Sequence, residues 1–162
     1  MKLKKTLFYL FVIGVIFGGQ FFVNRGLVSG RMPPIAEKTL AGRTAMPQTD
    51  AGPRMIYFWA EWCGICKMMQ ASVDSLLRDA PAVTVAVRSG NDAKVTAYLR
   101  ERRLTWPVVN DNQGAIADRY GVKGVPALFF VDGDGDIMLT SVGYSSEWGM
   151  RLRLWLTGLI SR

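Results

Sequence analysis

Cys63 and Cys66 are the only two cysteines of this 162-residue chain, and their surroundings constrain the fold more than any other feature. An apolar segment typical of a β-strand, residues 55–59, precedes them, and a helix-compatible segment, residues 67–71, follows them. Cys63 is therefore predicted to lie where a strand gives way to a helix. At such a junction free backbone N–H groups and the helix dipole stabilise a thiolate. Cys66 would lie one turn further on, so that one thiol can attack a disulfide and the other can resolve the intermediate.

The chain contains no histidine, which narrows the chemistry available to it. Ser-His-Asp triads, Cys-His nucleophile pairs and His-ligated metal sites are excluded. Two cysteines are also too few for a four-cysteine zinc site. Any reaction must therefore depend on the thiols or on carboxylates.

The net charge of +7 comes mainly from the N-terminus. Up to Arg31 the chain has no acidic residue, whereas beyond it 15 basic residues are balanced by 13 acidic ones. The early basic residues are Lys2, Lys4, Lys5, Arg25 and Arg31. No basic stripe with interleaved aromatic residues is present, so the sequence does not predict nucleic-acid binding.

Residues 6–23 form an almost wholly apolar segment. As a helix these 18 residues would rise about 27 Å, enough to cross most of a bilayer's hydrocarbon core. The lysines before the segment favour a cytoplasmic N-terminus. The sequence therefore predicts a cytoplasmic cap over 1–5, a transmembrane anchor over 6–23, a linker over 24–34 and one soluble domain over 35–162.

A cleaved signal peptide is the alternative to an uncleaved anchor. Val28-Ser29-Gly30 offers a weak cleavage site, but the apolar segment is longer than a usual signal core. Both interpretations export the domain to an oxidising compartment, where a single cysteine pair can cycle between thiol and disulfide.

The remaining pattern predicts an α/β fold with a central mixed sheet and flanking helices. The predicted order is a strand at 54–59, a helix from Cys63 to about Arg78, a strand at 82–87, a helix at 92–103, an extended segment at 106–110, a short helix at 113–120, strands at 127–132 and 137–142, and a closing helix at 146–160. In the closing helix, large apolar residues recur at helical spacing and are expected to face the core: Trp148, Leu152, Trp155, Leu156 and Leu159.

The segment Phe58–Lys67, FWAEWCGICK, resembles the active site of thioredoxins. The resemblance implies a thioredoxin-like fold and thiol–disulfide oxidoreductase activity, with Cys63 as nucleophile and Cys66 as resolving thiol. Gly121–Pro126, GVKGVP, is similar to the motif that carries a cis proline beside the cysteine pair in such proteins. By this resemblance Val125 and Pro126 would bind the substrate backbone. Trp62 is expected to contact substrate without taking part in the chemistry.

Two positions depart from the thioredoxin pattern. Thioredoxins carry a buried Asp two residues before the last Trp of the strand, where this chain has Tyr57. A related group of membrane-tethered thioredoxins uses a Glu three residues after the second cysteine, where this chain has Met69. Neither of these buried carboxylates is therefore present to take the proton of Cys66.

The tethered layout resembles the TlpA/DsbE group, and three further segments resemble its ScsD branch. These segments are residues 85–90, 107–111 and 146–155. ScsD proteins are the membrane-anchored, thioredoxin-like members of bacterial suppressor-of-copper-sensitivity systems. The resemblance implies a single-pass protein of the bacterial inner membrane with a periplasmic domain. Its partners would be a transmembrane thiol reductase of the DsbD/ScsB type and periplasmic protein thiols or disulfides, and it would need no cofactor beyond its redox-active disulfide.

A Cu(I)-binding module is the alternative function. Cys63 and Cys66 would hold the metal, and Met68 and Met69 offer further soft ligands. Disulfide exchange is favoured, because Trp62 and Pro126 serve exchange and contribute nothing to copper binding. A purely structural disulfide leaves Pro126 and the helix-start position of Cys63 unexplained.

Overall fold

A computed structural model describes residues 26–45 and 52–161 of the chain. The predicted cytoplasmic cap, the anchor over 6–23 and the first two residues of the predicted linker lie outside these ranges. Within the described residues, no helix combines the length and the hydropathy that a membrane span requires.

The elements of the described residues are six strands and four helices. In chain order they are β1 (Gly30–Arg31), β2 (Arg54–Trp59), α1 (Gly64–Leu77), β3 (Ala82–Val87), α2 (Asp92–Glu101), β4 (Val108–Asp111), α3 (Ala115–Arg119), β5 (Ala127–Val131), β6 (Asp136–Val142) and α4 (Glu147–Ile160).

The strands form one mixed sheet in the order β1-β6-β5-β2-β3-β4. Strands β2, β3 and β4 are parallel, with α1 and α2 as the crossover helices, whereas β5 runs antiparallel to β2. Every residue of β2 is buried, as expected for a central strand covered on both faces. The predicted mixed sheet with flanking helices is confirmed.

Alternation along β2 divides the interior into two cores. Tyr57 and Trp59 point into the core beneath α1, α2 and α4, which also contains both cysteines. Ile56 and Phe58 point to the other face, where α3 packs. The ring of Trp59 packs edge-on against that of Trp106, with centroids 5.6 Å apart. The cysteine pair is thus fixed on the side of the sheet that carries Trp59 and Trp106.

Part of the predicted linker, residues 24–34, belongs to the folded unit. Strand β1 pairs antiparallel with β6. The N–H of Val28 donates to the carbonyl of Tyr120 across 3.1 Å, and the Tyr120 hydroxyl donates to the carbonyl of Pro33 across 2.7 Å. The physical reason is that β6 would otherwise leave a row of backbone groups unpaired at the sheet edge. The folded unit therefore begins by Val28, not at Ile35.

Two predicted helices are shorter than the sequence pattern indicated. Helix α2 ends at Glu101, because Arg103 adopts a left-handed conformation (φ 55°) and the N–H of Leu104 turns back to the carbonyl of Leu99. Helix α3 begins at Ala115, after the left-handed Gly114 (φ 82°). The carboxylate of Asp111 accepts the N–H groups of residues 116 and 117 and so caps α3.

The apolar face predicted to bury helix α4 faces solvent instead. Trp148 is 83% exposed, and Leu152, Trp155 and Leu159 are exposed as well. Leu156 is half-buried, and Met150 is buried. Polar contacts with α1 and with the residue two positions beyond its end accompany this rotation of the helix. Glu147 accepts a hydrogen bond from the Ser75 hydroxyl (2.8 Å), and Arg151 forms an ion pair with Asp79 (3.1 Å).

Candidate active site

Cys63 is the N-cap residue of α1, and a disulfide joins it to Cys66 in the first turn. The backbone N–H of Cys66 donates to Sγ of Cys63 across 3.1 Å. The predicted position at a strand-to-helix junction is therefore confirmed. In the reduced protein the same N–H and the positive end of α1 would stabilise a thiolate on Cys63.

Both sulfurs are shielded in the disulfide form, and large apolar side chains around them are not. The helix position of the two cysteines predicts an accessible Cys63 and a buried Cys66, but in the disulfide form both are buried, at 5% and 2% exposure. Trp62, Ile65 and Met68 are exposed. These three exposed side chains lie before, between and after the two cysteines in the chain and are called the apolar rim; exposed apolar residues grouped in this way are typical of a protein-binding surface.

Val125 and Pro126 lie against the cysteine pair, although they are far from it in sequence. The carbonyl oxygen of Val125 is 3.5 Å from Sγ of Cys63, at a separation of 62 residues. The Val125–Pro126 peptide bond is cis. Pro126 is buried directly before β5, and its carbonyl accepts the N–H of Gly143 across 2.9 Å. The fold therefore brings together all the site residues that the sequence predicted in this region.

The loop after β3 holds the active-site loop, residues 60–63 between β2 and α1, in place. The indole N–H of Trp62 donates to the carbonyl of Arg88 across 3.2 Å, and the N–H of Glu61 donates to the Ser89 hydroxyl across 3.1 Å. The Ser89 hydroxyl in turn donates to the carbonyl of Val87. Sequence reasoning missed these roles of Arg88 and Ser89. The available signal was their place directly after a strand parallel to β2, because the carboxyl ends of parallel strands meet at one edge of the sheet.

Tyr57 occupies the position of the thioredoxin carboxylate as a neutral group. Its side chain is fully buried, and its hydroxyl has no hydrogen-bond partner within the described part of the chain. Burial, with a smaller contribution from Tyr98, raises the pKa of Tyr57 far above its ordinary value of 10. The phenol therefore stays protonated at physiological pH and does not act as a base. Met69, at the second departure, is wholly buried in the same core as Cys66.

The surroundings of the cysteines offer little for a metal ion. Among residues 26–45 and 52–161, no cluster of three or more His, Cys, Asp or Glu residues has a metal-binding arrangement. Met69 lies in the core, whereas the neighbouring Met68 is 67% exposed. The two methionines therefore point in different directions from α1.

The family model for AhpC/TSA proteins matches residues 29–140, which is most of the folded unit. The chain belongs to the AhpC/TSA family. Relatives in this thioredoxin-like superfamily are thiol–disulfide oxidoreductases, and the Cys63–Cys66 pair identifies the present chain as an oxidoreductase of the same type.

Individual relatives agree with this assignment. A thioredoxin-like protein of Haemophilus influenzae is 33% identical, and the match covers 96% of each chain. Sporulation thiol-disulfide oxidoreductase A of Bacillus subtilis is 23% identical over 83% of this chain and 87% of its own length. The crystal structure of StoA from Bacillus subtilis is similar with a TM-score of 0.61 and 25% identity, over 75% of this chain and 95% of that one.

Proposed function

We propose that this oxidoreductase is tethered to the inner membrane of a bacterium and exchanges disulfides with proteins in the periplasm. Its electrons would come from a transmembrane thiol reductase of the DsbD/ScsB type and pass to periplasmic protein disulfides. The observation that carries the proposal is that the backbone carbonyl of Val125 lies next to Cys63, with exposed apolar side chains nearby in the chain. A backbone group beside an apolar surface suits a polypeptide substrate.

The exchange reaction needs only the two cysteines. The Cys63 thiolate attacks one sulfur of a substrate disulfide, the substrate S–S bond breaks, and its other sulfur leaves as a thiolate. The Cys66 thiolate then attacks Sγ of Cys63 and releases the second substrate thiol. Two electrons have passed to the substrate, and the Cys63–Cys66 disulfide remains. The reverse sequence with the transmembrane reductase returns the pair to thiols.

The substrate would be held as an extended segment beside Val125. Backbone hydrogen bonds to such a segment provide affinity without selecting a sequence. The apolar rim formed by Trp62, Ile65 and Met68 would cover the reacting sulfurs. Bulk thiols would then reach the mixed disulfide less readily than the neighbouring Cys66 thiolate does.

The start of the folded unit supports a membrane-embedded electron donor. Val28 is hydrogen-bonded to Tyr120, and Gly26 packs so closely on Gly121 that a Cβ at position 121 would overlap its carbonyl. An anchor ending at Val23 lies three residues before Gly26, a distance of at most about 11 Å. Such an anchor would hold the Gly121–Pro126 loop, and with it the disulfide, close to the bilayer.

Fractionation of bacteria that express the full chain tests the tether. We expect the protein to stay in the membrane fraction after alkaline carbonate extraction and its domain to be digested by protease added to spheroplasts. Recovery of a soluble form that begins near Arg31 would show a cleaved signal peptide. The electron donor is tested by trapping thiols in cells that lack the transmembrane reductase, where the cysteine pair should accumulate as the disulfide. An unchanged redox state would contradict the proposed donor.

A role in copper-stress tolerance is the part of the proposal that depends on the ScsD resemblance alone. Its direct test is growth on copper of cells lacking this protein, complemented by the wild type or by Cys66→Ser. Titration of the reduced domain with Cu(I) distinguishes the alternative function, a copper-binding module, from the oxidoreductase. Tight stoichiometric binding together with slow disulfide exchange would favour the copper module over the oxidoreductase.

A further inference from the structure

A groove opens beside the disulfide, between the active-site loop and α3. One wall is Trp62, directly before Cys63, and the end next to the sulfur is Val125. Its apolar lining is Val87, Ala117 and Val122, and its charged lining is Arg88, Asp118 and Lys123. An extended segment bound at Val125 would therefore place a side chain adjacent to its reacting cysteine in or near this groove.

The backbone of Arg88 is held by Trp62, and its side chain lies against a glycine. Its backbone is left-handed (φ 45°), and its carbonyl accepts the indole N–H of Trp62. Its guanidinium lies over Gly114, where an added Cβ would come within 2.6 Å of Nε. Any larger residue at position 114 would therefore displace the guanidinium. The glycine leaves room for it at the groove wall.

The charges of the groove do not cancel. Nη2 of Arg88 is 3.8 Å from Oδ1 of Asp118, and both side chains are mostly exposed. At this distance the pair makes no hydrogen bond and contributes little. Lys123 forms no ion pair within the described ranges. Glu61, which precedes Trp62 in the chain, is paired with Lys94 and so does not neutralise Lys123. Two cations and one loosely held anion leave a surplus of positive charge beside the nucleophile.

We propose that this groove recognises an acidic side chain of the substrate, so that the preferred partners are protein disulfides with Asp or Glu next to the reacting cysteine. The proposal rests on the proposed function of the Cys63–Cys66 pair. A substrate carboxylate can approach Arg88 in the bidentate geometry that Asp118 does not reach. Lys123 adds a second, longer-range attraction.

The test uses the reduced full-length protein in detergent and three disulfide-linked peptides. The peptides differ only in the residue next to the reacting cysteine, which is Asp, Ser or Lys. We expect the second-order rate constant for exchange to fall in the order Asp, Ser, Lys. The Asp-to-Lys ratio should be at least about fivefold at low ionic strength and should shrink in 0.5 M salt.

Two substitutions by glycine test whether the guanidinium of Arg88 causes the preference for the Asp peptide. Arg88→Gly keeps a residue that adopts the left-handed conformation freely and retains the carbonyl that accepts Trp62, so the loop should fold unchanged. It should bring the Asp-to-Lys ratio close to one. Arg103→Gly is the matched control, because Arg103 is also left-handed (φ 55°) and carries the same charge but does not line the groove. It should leave the ratio at the wild-type value.

A third variant tests the competing anion. Asp118→Asn removes the loose partner of Arg88, and the rate constant for the Asp peptide should rise. A lower rate would mean that Asp118 is needed to hold Arg88 in place for the substrate, and would overturn the proposed competition between the two carboxylates.

The outcomes separate this inference from the proposed function. Failure to reduce any of the three peptides would count against the proposed transfer of electrons to protein disulfides. Exchange at equal rates with all three would leave that function standing and exclude acidic selection. Equal loss of the ratio in Arg88→Gly and Arg103→Gly would also overturn the inference, because it would show an effect of net charge and not of the groove.

Discussion

The N–H of Cys66 donates to Sγ of Cys63 across 3.1 Å, which makes the two cysteines chemically unequal although both are buried. Cys63 receives this hydrogen bond at the N-cap of α1, where the helix dipole favours negative charge. Cys66 lies within the first turn and receives no equivalent donor among the hydrogen bonds of the described residues. Cys63 is therefore expected to be the thiolate of the reduced pair.

This inequality predicts different behaviour of the two cysteine variants. Cys66→Ser should accumulate a mixed disulfide between Cys63 and substrate, visible on non-reducing gels, whereas Cys63→Ser should trap nothing. Alkylation of the reduced wild type at neutral pH should modify Cys63 faster than Cys66, as followed by mass spectrometry. Equal labelling of both thiols would contradict the assignment.

The hydrogen bond between Trp62 and Arg88 predicts a role for Trp62 in protein binding. Trp62→Phe removes the indole N–H and should slow exchange with a protein disulfide about two- to tenfold, the effect of one lost hydrogen bond. Reduction of a small disulfide should be slowed less, because it does not need the apolar rim. Trp148→Phe is the control, since Trp148 is exposed on α4 and its neighbour Glu147 contacts Ser75, near the end of α1 opposite to the cysteines. Equal effects on both substrates would place Trp62 outside substrate binding.

The buried hydroxyl of Tyr57 predicts a gain in stability when it is removed. Because this hydroxyl has no partner in the described part of the chain, Tyr57→Phe should raise the free energy of unfolding by about 1 kcal/mol. Tyr120→Phe should have the opposite sign, because the Tyr120 hydroxyl donates to Pro33 across 2.7 Å. Urea unfolding measures both. An altered pH profile of exchange in Tyr57→Phe would show that the phenol takes part in proton transfer.

Asp74 predicts a defined pH dependence of stability. Its carboxylate accepts hydrogen bonds from Arg78 (2.6 Å) and from the Trp106 indole (3.1 Å), and chiefly the bond from Arg78 lowers its pKa. A lowered pKa stabilises the folded state above the unfolded value of about 3.9, and the contribution is lost as pH falls through the folded pKa. Asp74→Asn should therefore be less stable than the wild type at pH 7. The gap should close on acidification below about pH 4, and a gap independent of pH would contradict this origin.

The exposed face of α4, which the sequence pattern assigned to the core, is predicted to tolerate substitution. Trp148→Gln and Trp155→Gln should each change the free energy of unfolding by less than about 0.5 kcal/mol. Met150→Ala, on the buried face, should cost about 2–5 kcal/mol. Urea unfolding of the three variants decides between the two faces. A large loss in either tryptophan variant would show that the helix packs through its tryptophans.

The elements around the disulfide were predictable because their causes lie close together in the chain. The apolar run ending at Trp59 forms the central strand, and the helix begins directly after Cys63. Ser146 caps α4 by accepting the N–H of Gly149, a hydrogen bond across three residues. Backbone hydrogen bonding and capping act between neighbouring residues, so the sequence alone determined these boundaries. The approach of Val125 to Cys63 was predicted by resemblance to a family and not by any local pattern.

Tertiary structure alone decided which surfaces meet. The face of the closing helix that carries Met150 packs into the core, beside the contacts from Glu147 to Ser75 and from Arg151 to Asp79, whereas the face with the tryptophans is exposed. Residues 30–31, before Ile35, form an edge strand because they pair with backbone groups of β6 that would otherwise be unpaired. The carbonyl of Arg88 accepts the indole N–H of Trp62 because the parallel strands β2 and β3 end next to each other. Periodicity fixes which side chains share a face of an element, but the partner of that face is set by long-range packing between segments that are distant in the chain.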